Sequence, residues 1–306
     1  MSERFEADWL SLREAADAAA RDPGLVGRAS AWLAERPRPL AITDLGAGSG
    51  ANPRFLAPRL PGPQHWRLVD HDATLLARAA DRLAGLRNAD AADVQFETCA
   101  SELADVDAAI SENTDLATAS ALFDLVSADW IDALAARCRQ VGCAALWTLS
   151  VDGDWRFTGP TATPRTQAAD AAMRALLQAH QARDKGLGRA LGGHAPAALR
   201  AAFTARGFDV FEAPSPWRLA PNAHVELAVA LLDGWRGALL EQAPDAARDV
   251  DAWWRDRRAR LEAGTLGVEV GHVDLYAQPA PRPGDTARLS RLSSQSSSRL
   301  SSQSSS

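Results

Sequence analysis

Residues 40–50 read LAITDLGAGSG, and this stretch decides the fold. A short apolar run that ends in glycines predicts a buried strand, then a tight turn, with a helix over residues 51–60. Glycine suits the turn because it adopts positive φ and lets a ligand approach the backbone without meeting a Cβ atom. The helix start presents free N–H groups and a positive dipole end, so the segment predicts a ligand site.

The alternation of strands and helices continues along the chain. Further strands are predicted at 66–70, 94–99, 115–120 and 142–151, with helices at 73–86 and near 128–139. Two late strands begin at Gly207 and Val268, with helices over 222–243 and 245–263 between them. The pattern predicts an α/β fold: a mostly parallel, seven-stranded sheet with helices on both faces, the late strands forming an antiparallel edge.

The chain divides into three parts. Helices at 4–21 and 25–36 predict an N-terminal helical cap over residues 1–39. Residues 40–284 form the main domain, with helical insertions at about 160–206 and, before the last strand, at 222–263. Residues 285–306 contain RLSSQSSS twice in succession and almost no apolar side chains. Such a segment cannot repay the entropy of ordering, so a disordered serine-rich tail is expected.

Composition narrows the function classes. The formal net charge is −6 and the isoelectric point about 5.6, so neither nucleic acid nor a membrane surface is an expected partner. The three cysteines form no CxxC pair and no metal-ligand spacing, which predicts reduced thiols, no metal and a cytoplasmic location. Lys185 is the single lysine among 33 basic residues, an arginine bias typical of a GC-rich, bacterial genome.

The glycine motif alone fits two cofactors. Gly46, Gly48 and Ala51 satisfy the pattern G-x-G-x-x-G/A of a dinucleotide site. Asp70, at the end of the next strand, can accept hydrogen bonds from the two ribose hydroxyls of either cofactor. Asp44 favours S-adenosylmethionine, because a carboxylate two residues before the glycines suits its ammonium and sulfonium better than a pyrophosphate.

The stretch ITDLGAGSGANPRFL resembles the first motif of class I, Rossmann-like S-adenosylmethionine-dependent methyltransferases. WRLVDHD is similar to their ribose-binding strand end, and DLATASALFDLVSADW to their fourth strand, so the resemblance covers roughly residues 40–151. It implies a methyltransferase that uses S-adenosyl-L-methionine. The acceptor is expected to be an unidentified small molecule.

The resemblance also implies roles for individual residues. The methionine moiety would lie on the segment from Asp44 to Gly50, which includes Gly46 and Gly48. The ribose would contact Asp70, the adenine edge Ala100 and Ser101, and the amino-acid end Ser120. Many members have an acid after the third strand, whereas this chain has Cys99-Ala100-Ser101 there, so the adenine contact would come from backbone or Ser101. His71 would lie against adenine or be a loop histidine.

Two segments are candidates for the acceptor site. His180, Arg183 and Lys185 bring a base and two cations together, which suits an acceptor with a carboxylate or phosphate and makes His180 the candidate catalytic base. The alternative is a solvated helix end, where cations are favoured in any case. The loop after the fifth predicted strand offers Asp152 and Trp155, although its carboxylates also suit a plain turn.

Other functions stay open at this stage. Arg13, Asp17 and Arg21 are spaced as a surface ion-pair ladder, or as a lid whose arginine meets the cofactor carboxylate. Trp253 to Arg258 mixes aromatic and basic residues as RNA-binding segments do, but neighbouring acids favour a packed insertion helix. A nicotinamide-dependent oxidoreductase and a non-catalytic nucleotide-binding protein are the two alternatives to a methyltransferase.

Overall fold

The computed structural model describes residues 3–159, 164–184 and 187–280. The predicted serine-rich tail and Lys185 lie outside the described residues.

An eight-stranded sheet forms the centre of the described chain. Seven strands follow the order β3-β2-β1-β4-β5-β8-β6, and β7 pairs with β8 beside this path. The strands are β1 (Leu40–Leu45), β2 (Gln64–Asp70), β3 (Val94–Ala100), β4 (Leu116–Ser120), β5 (Ala144–Thr158), β6 (Phe208–Pro214), β7 (Trp217–Leu219) and β8 (Gly267–Pro279). The structure confirms the mostly parallel, Rossmann-like sheet, with one strand more than the sequence predicted.

Apart from the short α5, which was not predicted, the helices follow the predicted order along the chain. They are α1 (Glu3–Ala20), α2 (Pro23–Ala34), α3 (Ala51–Leu56), α4 (Ala73–Leu83), α5 (Val106–Ala109), α6 (Ala128–Val141), α7 (Pro164–Gln181), α8 (Ala195–Ala205), α9 (Val225–Gln242) and α10 (Ala247–Glu262). One apolar core joins one face of the sheet to α6 and α8, and a second joins the other face to α2 and α4. The helices therefore cover both faces, as predicted.

A third apolar core lies beyond the sheet centre. Trp217 and Leu219 of β7, Val268 of β8 and Trp155 of β5 pack there against α7, α9 and α10. Ala16 of α1 belongs to this third core, whereas Leu33 of α2 is buried in the second core, together with α4. The two N-terminal helices therefore pack in different places.

The pairing of β1 brings three loops to one edge. β1 is parallel to β2 and β4, and Leu45 is in register with Val69 and with Ala119. The carboxyl ends of parallel strands lie at the same edge of a sheet. The residues that follow β1, β2 and β4 therefore face one crevice.

The late strands form the antiparallel side that the sequence predicted. β8 runs antiparallel between β5 and β6, with Leu146 opposite Tyr276 and Val210 opposite Ala277. A dinucleotide-binding sheet of order 3-2-1-4-5-6 is parallel throughout this region. The inserted antiparallel strand therefore separates this fold from the dinucleotide-binding type.

Candidate functional site

The turn after β1 is a left-handed loop, which we call the glycine loop (residues 46–50). Gly46, Gly48 and Gly50 have φ angles of +63°, +51° and +79°. Other residues adopt this region at a cost, so the alternating glycines are a requirement of the backbone. A Cβ atom on Gly50 would lie 3.1 Å from Leu83 Cδ1, because this end of the loop packs on α4.

Asp70 holds the glycine loop from the end of β2. Its carboxylate, 6% exposed, accepts the Gly48 N–H at 2.8 Å on Oδ2 and the Asp72 N–H at 3.0 Å on Oδ1. His71 is largely exposed, with Nδ1 3.2 Å from Asp70 Oδ1. Asp72, and not Asp70, caps α4 by accepting the Thr74 and Leu75 N–H groups. Each Asp70 oxygen has lone-pair capacity left for a hydroxyl.

A cavity of about 380 Å³ opens over the glycine loop, and we call it the loop cavity. Of the predicted cofactor residues, Gly46, Gly48, Asp70, His71 and Ser120 line it. Ala100 and Ser101 are not among its lining residues, and Leu75 and Leu103 provide apolar surface instead. The structure thus brings the ends of β1, β2 and β4 together and leaves the end of β3 outside the cavity.

Asp44 lies beneath the loop cavity and does not line it. Asn52, which does, donates from Nδ2 to Asp44 Oδ1 at 2.6 Å and to Thr118 Oγ1 at 3.0 Å. The Asp44 Oδ2 atom has no hydrogen-bond partner among the described residues. Burial raises the Asp44 pKa to about 7, although the Asn52 hydrogen bond and the Arg21 charge lower it. Asp44 therefore acts on the cavity through Asn52 and through its charge.

Arg21 brings a buried cation to the loop cavity. Its side chain is 6% exposed, and Nη2 donates to Ser120 Oγ at 2.9 Å. The buried Nε and Nη1 atoms have no acceptor among the described residues. Desolvation lowers the Arg21 pKa, while the charges of Asp17, Asp274 and Asp44 raise it. An arginine with spare donors is a site for an anion such as a carboxylate.

Helix α1 forms one wall of the loop cavity, through Leu10 and Arg13 among others, and Arg21 follows directly after the helix. Glu14 links α1 to α3 and α4. Its Oε2 atom lies 2.6 Å from Arg54 Nη2 and 3.2 Å from Arg82 Nη2. The spacing of Arg13, Asp17 and Arg21 does produce an ion pair, at 2.9 Å between Arg13 Nε and Asp17 Oδ2. Asp17 near the end of the helix and Arg21 just after it are buried, so this end of α1 is not a solvated surface.

A second cavity, of about 170 Å³, adjoins the first, and we call it the tryptophan cavity. Four tryptophans line it together with His272: Trp9, Trp155, Trp217 and Trp235. Trp9, Arg13 and Ala121 line both cavities. The predicted loop after the fifth strand is wrong as a loop, because its residues belong to β5, whose pairing with β8 continues to Thr158 after an irregularity. Trp155 lines the tryptophan cavity, while Asp152 is exposed, does not line it and accepts the Asp154 N–H at 2.8 Å.

His272 is a functional candidate that sequence reasoning missed. It is 5% exposed, lies 3.0 Å from the Val270 carbonyl through Nδ1, and its ring centroid is 5.3 Å from that of Trp217. Burial and then the Arg13 charge lower its pKa to about 4. The neutral ring donates through Nδ1 to the carbonyl, which leaves Nε2 as an acceptor. An isolated histidine in an apolar strand carries no sequence signal for this role.

The predicted cluster on α7 lies elsewhere. His180 Nε2 is 3.1 Å from Glu241 Oε2, and Arg183 donates to the Glu241 carbonyl at 3.2 Å. Neither side chain lines either cavity, whereas Gln178 and Gln181 of the same helix line the tryptophan cavity. The catalytic role of His180 and the acceptor-binding role of Arg183 stay predictions. In the structure both side chains contact Glu241 of α9.

The described ranges contain neither a metal-ligand cluster nor a membrane-spanning helix. No group of His, Cys, Asp and Glu side chains within residues 3–159, 164–184 and 187–280 is arranged to hold a metal ion. In the same part of the chain, no helix has the length and hydropathy needed to cross a membrane.

No protein-family model and no curated protein sequence matches the chain. Solved structures similar to it include the cyclopropane synthase MmaA2 from Mycobacterium tuberculosis, at 14% identity over 83% of both chains with a TM-score of 0.44. A methyltransferase from Geobacter sulfurreducens, solved with S-adenosyl-L-homocysteine, is 19% identical over 85% of this chain and 92% of its own, with a TM-score of 0.41. The YcgJ protein from Bacillus subtilis is 12% identical over 85% of this chain and 100% of its own, with a TM-score of 0.43.

Proposed function

We propose that this protein is an S-adenosyl-L-methionine-dependent methyltransferase with a small-molecule acceptor. The observation that carries the proposal is the loop cavity, where a glycine loop held by Asp70 faces a buried Arg21 with two unpaired donors. The cofactor has matching groups, since its ribose needs hydroxyl acceptors and its methionine part ends in a carboxylate. We also propose a cytoplasmic location, because the three cysteines are all free.

Each end of the loop cavity suits one part of the cofactor. Asp70 has lone pairs for the ribose hydroxyls, and Arg21 with Ser120 would hold the methionine carboxylate. Leu75, Leu103 and the exposed His71 offer the flat apolar surface that an adenine ring needs. In this arrangement Leu103, and not the predicted Ala100 and Ser101, would contact the adenine ring.

The nicotinamide alternative fits less well. A dinucleotide has two phosphates to place at the glycine loop, and the buried Asp44 under it repels them when ionised. A non-catalytic nucleotide-binding protein has no use for a second cavity next to the first. The shared wall of Trp9, Arg13 and Ala121 gives a donor and an acceptor molecule a common boundary.

The chain's contribution to the chemistry is placement. The bound cofactor supplies a methyl group that its sulfonium already activates. The residues of the two cavities have to align the acceptor with that methyl group, and such alignment accounts for much of the rate in bimolecular transfers. The tryptophans of the second cavity give the acceptor an apolar wall, and His272 Nε2 is available to accept a hydrogen from it.

Isothermal titration with S-adenosylhomocysteine and, separately, with NAD⁺ and NADH tests the proposal. We expect saturable binding of S-adenosylhomocysteine and no heat from either nicotinamide cofactor. Binding of NAD⁺ without binding of S-adenosylhomocysteine would overturn the proposal in favour of an oxidoreductase. Binding of neither compound by a folded protein would remove the loop cavity as a cofactor site.

A further inference from the structure

The tryptophan cavity has walls suited to a flat ring. Trp155 and Trp235 are stacked, with ring centroids 4.5 Å apart and planes 30° apart. Trp9 and Trp217 line the cavity as a second pair, with centroids 6.3 Å apart. Leu177, Leu231 and Val270 supply the remaining apolar surface. Aromatic walls favour an aromatic ligand, because ring pairs gain energy beyond the area that they bury.

The charges at this cavity already have partners. Arg13 is paired with Asp17 at 2.9 Å, and Asp154 with Arg174 at 3.2 Å. Asp124, the remaining charged residue of the wall, is also engaged within the protein. A charged ligand would lose its hydration and find no unpaired opposite charge, which makes its binding costly. The cavity therefore favours a neutral molecule.

Two buried residues of the wall offer a ligand one acceptor and one donor. His272 keeps Nε2 as an acceptor, because its Nδ1 is used by the Val270 carbonyl. Trp155 is 5% exposed, and its buried Nε1 has no hydrogen-bond partner among the described residues. Buried donors normally find an acceptor, so an unpaired indole N–H in the wall of a cavity points to a ligand atom. A ligand heteroatom that both donates and accepts would satisfy both groups.

We propose that the tryptophan cavity binds the methyl acceptor, and that this acceptor is a neutral aromatic molecule with an N–H or O–H group on its ring. The heteroatom donates to His272 and accepts from Trp155. The role of this molecule as methyl acceptor rests on the proposed function. The binding of a neutral aromatic ring rests on the residues of the cavity alone.

The transfer balances with the groups named. A bond forms from the acceptor's nitrogen or oxygen to the methyl carbon as the bond from the cofactor's sulfur to that carbon breaks. The sulfur keeps the electron pair, so the sulfonium becomes a neutral thioether. The hydrogen of the acceptor heteroatom leaves as a proton to His272 Nε2 and passes from there to water.

Small probes test the ligand class without cofactor. The neutral probes are p-cresol and aniline; benzoate, benzyltrimethylammonium and cyclohexanol test anion, cation and a ring without aromaticity. We follow quenching of tryptophan fluorescence and confirm each dissociation constant by calorimetry. We expect millimolar binding of the neutral aromatic probes, in keeping with their few atoms, at least about tenfold tighter than the other three. Equal binding of all five probes, or tighter binding of a charged probe, would overturn the inference.

Variants locate the binding. Trp235→Leu removes one wall, and Leu231→Trp fills the cavity without removing a ring; each is expected to weaken p-cresol binding at least about tenfold. Trp254→Leu is the matched control, because Trp254 lies on α10, outside the cavity, and donates to Asp233. Unchanged affinity in a folded Leu231→Trp variant would place the probe elsewhere and overturn the inference.

Saturating S-adenosylhomocysteine separates this inference from the proposed function. We expect p-cresol to bind with equal or higher affinity when the homocysteine product is present. Displacement of p-cresol by it would put both in one cavity and overturn the acceptor site. If S-adenosylhomocysteine binds and no aromatic probe does, the methyltransferase proposal stands and this inference fails. If the probes bind and S-adenosylhomocysteine does not, the acceptor role fails with the proposed function.

Discussion

Asp70 at the end of β2 accepts a hydrogen bond from the backbone N–H of Gly48 at 2.8 Å, 22 residues earlier in the chain. The bond fixes the middle of the glycine loop to the neighbouring strand. In the proposed function the same carboxylate would also accept the ribose hydroxyls, so one residue would both shape the loop and bind the cofactor.

The first prediction concerns Gly48. Its φ of +51° makes Gly48→Ala strained, and the new Cβ, 3.7 Å from Leu10 Cδ1, would enter the loop cavity. We expect the affinity for S-adenosylhomocysteine to fall at least about a hundredfold, with a loss of stability of roughly 1–2 kcal/mol. Gly85→Ala is the matched control, since Gly85 also has positive φ and its Cβ would meet nothing within 4 Å. Equal affinity in the two variants would show that the cofactor does not approach Gly48.

The second prediction concerns Asp70. Asp70→Ala removes a buried charged acceptor, so we expect S-adenosylhomocysteine binding to weaken by about 1–3 kcal/mol in calorimetry. Asp81→Ala, on the exposed face of α4, serves as the control for a lost carboxylate. Asp70 has no place in the site if the folded variant binds as tightly as the wild type.

The third prediction concerns Arg21. Arg21→Met removes the cation that interacts with the buried Asp17, Asp274 and Asp44, so the unliganded protein is expected to lose stability, and binding is compared in the folded variant. Affinity for S-adenosylhomocysteine should drop about tenfold or more, because the variant has no partner for the methionine carboxylate. 5′-Methylthioadenosine, which lacks that carboxylate, should bind wild type and variant alike. A parallel loss for both ligands would mean that Arg21 supports the fold of the cavity only.

The fourth prediction concerns pH. The His272 pKa lies at about 4 in the folded protein and 6.5 ordinarily, so the unfolded chain takes up the proton first as the pH falls. The stabilising effect of the neutral ring is therefore complete above pH 6.5 and lost towards pH 4, by up to roughly 3 kcal/mol. Asp44, with its raised pKa, has the opposite slope.

Denaturant unfolding of wild type and His272→Gln at several pH values isolates the effect. The Asp44 contribution is common to both proteins, so the difference in unfolding free energy reports His272. We expect this difference to shift against the wild type between pH 6.5 and 4. A constant difference over this range would show that His272 takes up its proton at its ordinary pKa.

The fifth prediction compares two histidines. With a turnover assay, His180→Ala is expected to leave kcat close to the wild-type value, because its observed partner is Glu241 on α9. His272→Phe should lower kcat more than it changes KM for the cofactor. The reverse result would support the original hypothesis, in which His180 and Arg183 serve the acceptor.

Sequence patterns predicted the strands and turns that depend on neighbouring residues alone. The apolar run before Gly46 and the acid ending the next strand placed β1, β2 and the crevice between them. β7 was missed because three residues after Pro216 carry too little periodicity for a strand, and pairing with β8 stabilises it. His272 was missed for a related reason, since the pairing of Val151 with His272 brings it to the tryptophan cavity.

Arg21 and Arg183 show that sequence motifs do not reveal which cation lies in the site. Both were cations at helical spacing, and sequence alone could not tell which one lies inside. Arg21 is buried just after α1, which packs against the glycine loop. Arg183 is exposed and donates to the Glu241 carbonyl on α9. Depth beneath the surface depends on contacts between distant segments, so residue type and spacing do not reveal it.

The wall that α1 provides has a kinetic consequence. Trp9 and Arg13 border both cavities, so an outward movement of this helix would widen the proposed cofactor and acceptor sites in a single event. We expect spent cofactor and methylated product to escape in the same opening, with one shared rate constant. Glu14 restrains that opening through partly exposed ion pairs, whose strength falls with ionic strength. Stopped-flow traces recorded at rising salt should therefore show both departures accelerating together.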